Sequence, residues 1–366
     1  MSLQSLLAAI PNKVVVDKAV PVEYEVTRRL LRDQKRPVLF NDLNGGRAVG
    51  NLFSTRESIC SALGIKREEL VSKLLAASER PVAPKLAKAP EFAASVKEKF
   101  DLTSLPVPKF YPGDGGRYIT SAVAVSEFEG KRNLSFHRLM IIDERRMAIR
   151  LVPRHLYTMC RSSLAKGREL RIAFCIGVRP EVLLAAATST SYSQDEMEIA
   201  ASLMNECSGR MLKVGRTKGG LVVPSECEYV LEGRITSETT DEGPFVDITG
   251  TYDDVRSQPI VEIDRVCSRR NPIFHVVLPG GLEHYLLMGL PREPIIHRSV
   301  GQVVPKVHAV RLTEGGCCWL HGVVSITKNK EGDGVNAILA AFTGHPSMKQ
   351  VTIIDEDVDV YDDRMV

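Results

Sequence analysis

The chain has no pair of cysteines at C-x-x-C spacing and no Cys/His run of the kind that holds zinc, although it carries eight cysteines. Several lie inside apolar runs, as in Ala173-Phe174-Cys175-Ile176, where a thiol packs as a small hydrophobe; this usage suits a reducing cytoplasm. No run reaches the ~18 apolar residues of a membrane span. The opening MSLQSLLAAIPNK has too short an apolar stretch, and no basic leader, for a signal peptide. Excess charge of one sign is missing too: the net is +3 in 366 residues, which calls for neither a polyanion nor a membrane surface as partner. Basic residues alternate with acids, as in Lys66-Arg67-Glu68-Glu69, a solvated helix face. Nucleotide signatures are scarce as well. There is no G-x-x-x-x-G-K-[ST], and Gly45-Gly46, Gly115-Gly116-Arg117 and Gly215–Gly220 do not match the dinucleotide fingerprint. No G-x-S-x-G elbow occurs, and no cysteine has an evident histidine partner. Hydride transfer on a Rossmann domain and serine or cysteine hydrolysis both lose ground.

What is present is an ordinary globular composition, 44% hydrophobic and 25% charged, long enough for two or three domains. Residues 22–34 have the spacing of an amphipathic helix, followed by a buried strand at Pro37–Phe40. Ser54 is placed to cap a helix through Leu63, with Gly64 as its stop. These elements suggest an N-terminal α/β unit over 1–100, with the Ala-, Pro- and Lys-rich 78–96 as a connector. From residue 118 the texture is strand-dense and mostly antiparallel, with strands expected at Tyr118–Phe128, Leu134–Ile142, Met147–Val152, Leu170–Val178, Glu228–Thr236, Val246–Tyr252 and Ile260–Arg265. A barrel or curled sheet with inserted helices over 101–295 follows. After Pro291 the α/β texture returns, giving a third unit over 296–366. The fold class is α+β.

Four segments have the residue types that chemistry needs. In Asn133-Leu134-Ser135-Phe136-His137-Arg138 a neutral oxygen ligand and a cation bracket a strand, and a bulge is needed for them to converge. A strand with a surface arginine explains the same residues. Ile149–His155 runs from a strand into a helix start, where backbone N–H groups and arginines can hold a phosphate, or where His155 serves only as a structural hydrogen-bonder. Ser193 precedes Gln194-Asp195-Glu196 as a helix cap; Glu196 suits the positive helix end or, with Asn133, a hard cation. In Asp241–Gly250, Gly243-Pro244 forces a turn after Glu242. Asp247, placed inward among Phe245, Val246 and Ile248, should have the raised pKa of a proton donor. An acidic surface turn is the other reading.

Together and in this order the segments resemble the UbiD family of prenylated-FMN-dependent decarboxylases. Asn133, Ser135 and Arg138 match its N-x-[SG]-x-x-R pattern, Glu196 its metal carboxylate, and Glu242 to Asp247 its E-G-P-[FY]-x-[DE] element. Similarity extends through Asn51-Leu52-Phe53, Asp114–Thr120, Val223-Pro224-Ser225, Glu232-Gly233 and Leu278–His284, nearly the whole chain. The resemblance implies a central split β-barrel as the flavin-binding domain. It implies that Asn133, His155 and Glu196 hold Mn2+, with K+ as a possible second cation, bridging to the prenylated-FMN phosphate. Residues Ser135, Phe136, His137, Arg138, Arg150, Leu151, Val152, Arg154 and His155 would line the flavin. Arg138 would bind the substrate carboxylate, Glu242 would orient Arg138, and Asp247 would protonate the carbon that loses CO2. The flavin supplies the electron sink.

Around Asn133, His155 and Asp247 the sequence is most similar to archaeal members that convert trans-anhydromevalonate 5-phosphate to isopentenyl phosphate in isoprenoid synthesis; Arg117, Arg150 and Arg154 are candidates for a substrate phosphate. Decarboxylation of a 4-hydroxybenzoate- or cinnamate-type acid is the alternative, and only 6% aromatic residues argue against it. A non-catalytic flavin carrier or assembly subunit is a reading of another class. A flavin prenyltransferase is the expected cofactor supplier, and the chain should form a homodimer or larger oligomer. Family members usually continue into a long C-terminal helix, so the unit ending at Met365-Val366 is expected to be truncated.

Overall fold

The computed structural model describes residues 2–365. Its centre is a closed six-stranded antiparallel barrel built from Tyr118–Phe128, Lys131–Ile141, Arg146–Ile149, Leu170–Ile176, Tyr229–Glu242 and Arg256–Ser268. The strand Tyr229–Glu242 pairs with both Leu170–Ile176 and Arg256–Ser268, which closes the ring. A seventh strand, Ser95–Lys97, adds to the outside of Arg256–Ser268. The barrel belongs to the α+β architecture read from the strand spacing.

The middle of Tyr118–Phe128, from Ala122 to Val125, is continuously apolar because both its faces are covered. Ala122 and Ala124 pack with Leu139, Ile149, Leu231 and Val261. Val123 and Val125 pack on the other side with Val182, Leu183 and Ala200. Those last three come from the helices Pro180–Ala187, buried along its whole length, and Glu196–Ser208. At ~25 cal/mol per Å2 of apolar surface removed from water, this double layer supplies the barrel's principal stabilisation.

Among the described residues, three smaller sheets of three or more strands accompany the barrel, one of them formed by Lys85–Leu86, Lys213–Arg216 and Val222–Pro224. Of the other two, the first contains Val14–Val16, Val38–Leu43 and Gly46–Gly50, and a late strand, Ile273–Val276, joins it in parallel beside Gly46–Gly50. The second contains Lys306–Leu312, His321–Thr327 and Gln350–Ile354, covered by the helix Asp333–Gly344. Among the described residues no helix is long and apolar enough to cross a membrane.

Local signals moved by small amounts. The helix expected to start at Ser54 is Arg56–Leu63, capped by Thr55, whose side chain takes the Ser58 N–H; Gly64 ends it at φ 76°. Ser193 likewise yields to Asp195 as the cap of Glu196–Ser208. The larger departure is at 246–252. Instead of one strand there are two short ones, Phe245–Val246 and Tyr252–Asp253, paired antiparallel around a turn that contains Gly250 at φ 77°.

Candidate active site

Two adjoining cavities open against one side of the barrel, of about 780 Å3 and about 200 Å3. They share Phe136, His137, Val152, Asp247, His284 and Met288 in their walls. The strand Lys131–Ile141 supplies both. Asn133, Ser135 and His137, on alternate positions, line the larger cavity, and Arg138 lines the smaller. The irregularity needed to present both lies between this strand and its neighbour, where Ile119 to Ala122 spans Leu139 to His137.

In the larger cavity Glu196 is the organising group. It is only 3% exposed, accepts the Leu134 backbone N–H at 3.0 Å and the Thr190 hydroxyl at 2.9 Å, and stands 3.5 Å from both Asn133 Nδ2 and His155 Nδ1. Burial raises its pKa, against the pull of the Leu134 and Thr190 hydrogen bonds and of His155. A carboxylate, an imidazole and an amide meeting here, with no Lys or Arg on the carboxylate among the described residues, form a donor set that fits a divalent cation. Among the described residues no cluster of three His, Cys, Asp or Glu has that arrangement; the third donor here is an amide. Ser135 Oγ connects Asn133 Oδ1 at 2.8 Å with His137 Nε2 at 3.0 Å. His137 Nδ1 lies 2.9 Å from the Arg150 carbonyl, and burial pushes this imidazole down to about 4, so it is neutral and donates there.

The smaller cavity is built around Arg138. Glu242, fully buried at the end of its strand, grips the guanidinium at Nε (2.8 Å) and Nη2 (2.9 Å). The Arg138 guanidinium carbon sits 4.5 Å from the Phe245 ring centroid. Gly115 makes the turn after Glu242 possible. Its N–H donates to the Pro244 carbonyl at 2.8 Å, and a Cβ there would lie 2.0 Å from the Gly243 oxygen.

Of the residues expected from the sequence, Asn133, Ser135, Phe136, His137, Val152, Arg154, His155, Glu196 and Asp247 line the larger cavity, and Arg138 and Arg150 the smaller. Glu242 stands behind Arg138. Leu151 lines neither cavity; it is buried, and its N–H donates to Gln258 Oε1 at 2.7 Å. Asp247 lines both cavities, but not as expected. It is exposed and opens the Asp247–Gly250 turn, donating its N–H to the Thr251 carbonyl, so the apolar enclosure read from Phe245, Val246 and Ile248 is absent. Arg117 is no phosphate ligand: its three guanidinium nitrogens donate to the Val107, Thr103 and Leu105 carbonyls, each at 2.7 Å.

Four residues were not singled out from the sequence. Asp253 takes Arg138 Nη2 at 3.1 Å and faces Arg150 at 3.5 Å. Burial works against its charge, but Arg138 and Arg150 prevail and hold its carboxyl below the usual range. His284 shares the wall with Asp247 and Arg138, accepts the Gly280 N–H at 3.1 Å on Nδ1, and is pushed by burial to about 4. Tyr118 takes the Gly243 N–H at 3.1 Å beside Glu242. Arg292 closes the far wall with Trp319. The sequence signals for these were the positions of Tyr118 in the Asp114–Thr120 similarity and of His284 in the Leu278–His284 similarity.

Family models for the 3-octaprenyl-4-hydroxybenzoate carboxy-lyase match the chain in three parts. The N-terminal domain matches residues 12–78, the Rift-related domain 85–282 and the C-terminal domain 285–366. The anhydromevalonate phosphate decarboxylase of Methanocaldococcus jannaschii is 43% identical over 359 residues, 96% of this chain and 82% of that protein. The enzyme of the same name from Aeropyrum pernix is 38% identical over 370 residues, 100% and 83%. Among solved structures, an evolved dimeric form of the UbiD-class enzyme HmfF from Pelotomaculum thermopropionicum, in complex with prFMN, has a TM-score of 0.95 at 34% identity. It covers 100% of this chain and 87% of its own.

Proposed function

The chain belongs to the UbiD family of carboxy-lyases, and on that footing we propose that it is a prenylated-FMN-dependent decarboxylase of an α,β-unsaturated acid. The first candidate substrate is trans-anhydromevalonate 5-phosphate, giving isopentenyl phosphate, as the names of the archaeal relatives indicate. The observation that carries the reading is the placing of Arg138 and Asp247 in one small cavity that opens directly into a larger one with a cation donor set.

Asn133, His155 and Glu196 are the residues that would hold Mn2+ against the flavin phosphate, and Ser135, Phe136, His137, Val152 and Arg154 would line the flavin. When bound, the prenylated flavin supplies the electron sink for the carbon that loses CO2. The chain's own part is grip and proton delivery. Arg138 keeps N–H groups for the substrate carboxylate, and Glu242 fixes the plane in which they point. Asp247, at the shared wall, carries the proton that replaces CO2 on carbon, and its exposure gives it access to solvent protons between turnovers. His137 and His284, both neutral, add no competing charge beside the carboxylate.

The test is co-expression with a flavin prenyltransferase, a spectrum of the purified protein, and CO2 release from trans-anhydromevalonate 5-phosphate beside 4-hydroxybenzoate and cinnamate. Release from the phosphorylated acid alone is expected. Bound flavin with no turnover of any acid would instead make the chain a carrier, and absence of flavin would sink the reading.

A further inference from the structure

Arg292 is a buried cation without a counter-charge. Its side chain is 7% exposed and donates from Nη1 to Ser189 Oγ, and its Nε is buried with no partner. Among the described residues it forms no ion pair. Arg154 approaches the same hydroxyl from the cavity side, Nη1 to Ser189 Oγ at 3.5 Å. Two guanidinium groups therefore converge on one neutral oxygen, and both line the larger cavity.

The surroundings offer one ring face to the cation and no negative charge. The Arg292 guanidinium lies 5.2 Å from the Trp319 ring centroid, and His345 stacks edge-on behind Trp319 at 4.4 Å. Burial and Arg292 push His345 down to about 4, so it is neutral. Burial and the repulsion from Arg154 bring Arg292 itself down to about 10, still charged at neutral pH. A buried, unpaired charge is among the costliest features a fold can carry, and a second like charge beside it adds to the cost. An anion on the cavity side would remove both penalties.

We propose that Arg154, Ser189 and Arg292 form a seat for a phosphate monoester dianion at the end of the larger cavity. Two planar forks and a hydroxyl present more donors than one carboxylate can accept, and two positive charges match a dianion. Which phosphate arrives rests on the decarboxylase reading: it is carried either by the flavin mononucleotide or by a phosphorylated acid substrate. The seat itself follows from the side chains alone.

Trp319 is the chain's only tryptophan, so its emission reports on this wall. Inorganic phosphate is titrated into the metal-stripped protein with emission followed, in wild type, Arg292→Gln, Arg292→Lys and Arg154→Gln. Phosphate affinity should fall at least tenfold in both Gln variants and be partly retained in Arg292→Lys. FMN and riboflavin binding, read from flavin fluorescence, and KM values for a phosphorylated and a non-phosphorylated unsaturated acid then separate the sources. Weaker FMN with unchanged riboflavin gives the seat to the flavin. Unchanged FMN with a raised KM for the phosphorylated acid alone gives it to the substrate. Phosphate affinity unchanged in either folded Gln variant overturns the seat, and Arg154→Gln, at an exposed position, serves if Arg292→Gln does not fold. Wild-type protein that binds phosphate but neither flavin nor any acid would end the decarboxylase reading and leave the seat standing.

Discussion

Glu242 holds the same edge of Arg138 at two points, 2.8 Å to Nε and 2.9 Å to Nη2, from a position with no exposure to solvent. Asp253 takes a further Nη2 contact at 3.1 Å. The guanidinium is thereby fixed in plane and rotation, and under the proposed function a substrate carboxylate would meet a cation that does not have to reorganise.

Replacing Glu242 by Gln keeps the shape and removes the charge. The arginine then lacks its principal counter-ion, and breaking such a buried pair costs about 3–5 kcal/mol. Steady-state CO2 release should fall by about two orders of magnitude, and the melting temperature should drop with it. A rate within threefold of wild type would show that Glu242 does not orient Arg138.

Asp247→Asn should leave flavin content and melting temperature near wild type, because the side chain is exposed. Product formation should fall by about two or more orders of magnitude, the scale of a lost general acid. A near-normal rate would remove Asp247 from the proton path.

Glu196→Gln should lower manganese and flavin content together, measured by elemental analysis and visible absorbance. The remaining amide, imidazole and carboxamide have no negative charge to offer a dication. An unchanged metal load would place the cation elsewhere.

Acidification should destabilise the protein through His284. Its folded pKa, about 4, lies below the ordinary value near 6.5, so the unfolded chain binds the extra proton between those values. The stabilisation is complete above pH 6.5 and is lost as pH falls towards 4. Protonation would also end acceptance of the Gly280 N–H by Nδ1. Melting temperatures from pH 7 to 4.5 should decline less steeply in His284→Asn than in wild type, and parallel curves would refute the assignment.

Gly115→Ala should damage the turn that carries the acids, since its Cβ would lie 2.0 Å from backbone oxygen of Gly243. An overpacking cost of about 1–3 kcal/mol is expected. CO2 release should suffer beyond the stability loss because Glu242 and Pro244 must shift.

The barrel strands were legible because they are apolar on one or both faces; Tyr118–Phe128 has the boundaries that the pattern gave. The site was legible where a short motif keeps its residues on one strand, as Asn133, Ser135 and His137 are. Asp247 was misplaced because Phe245, Val246 and Ile248 look like a strand, and only the pairing of Phe245 with Asp253 reveals the turn; Gly250 was the local sign. Arg292 was invisible for a different reason. Pro-Arg-Glu-Pro looks like a solvated helix start, and its burial depends on Trp319, 27 positions later in the numbering. Long-range packing of that sort leaves no periodicity to find.

The strand Ile273–Val276, hydrogen-bonded along Gly46–Gly50, has a consequence for biosynthesis. While the ribosome is making the barrel, the first sheet displays the bare edge of Gly46–Gly50, and that edge is sealed only after residue 276 has emerged. Unsealed edges recruit foreign strands, so the nascent chain is most open to misassociation while the residues between Gly50 and Val276 are being added. The same strand leads directly into Leu278–His284, so the step that seals the edge also delivers His284 to the cavity wall.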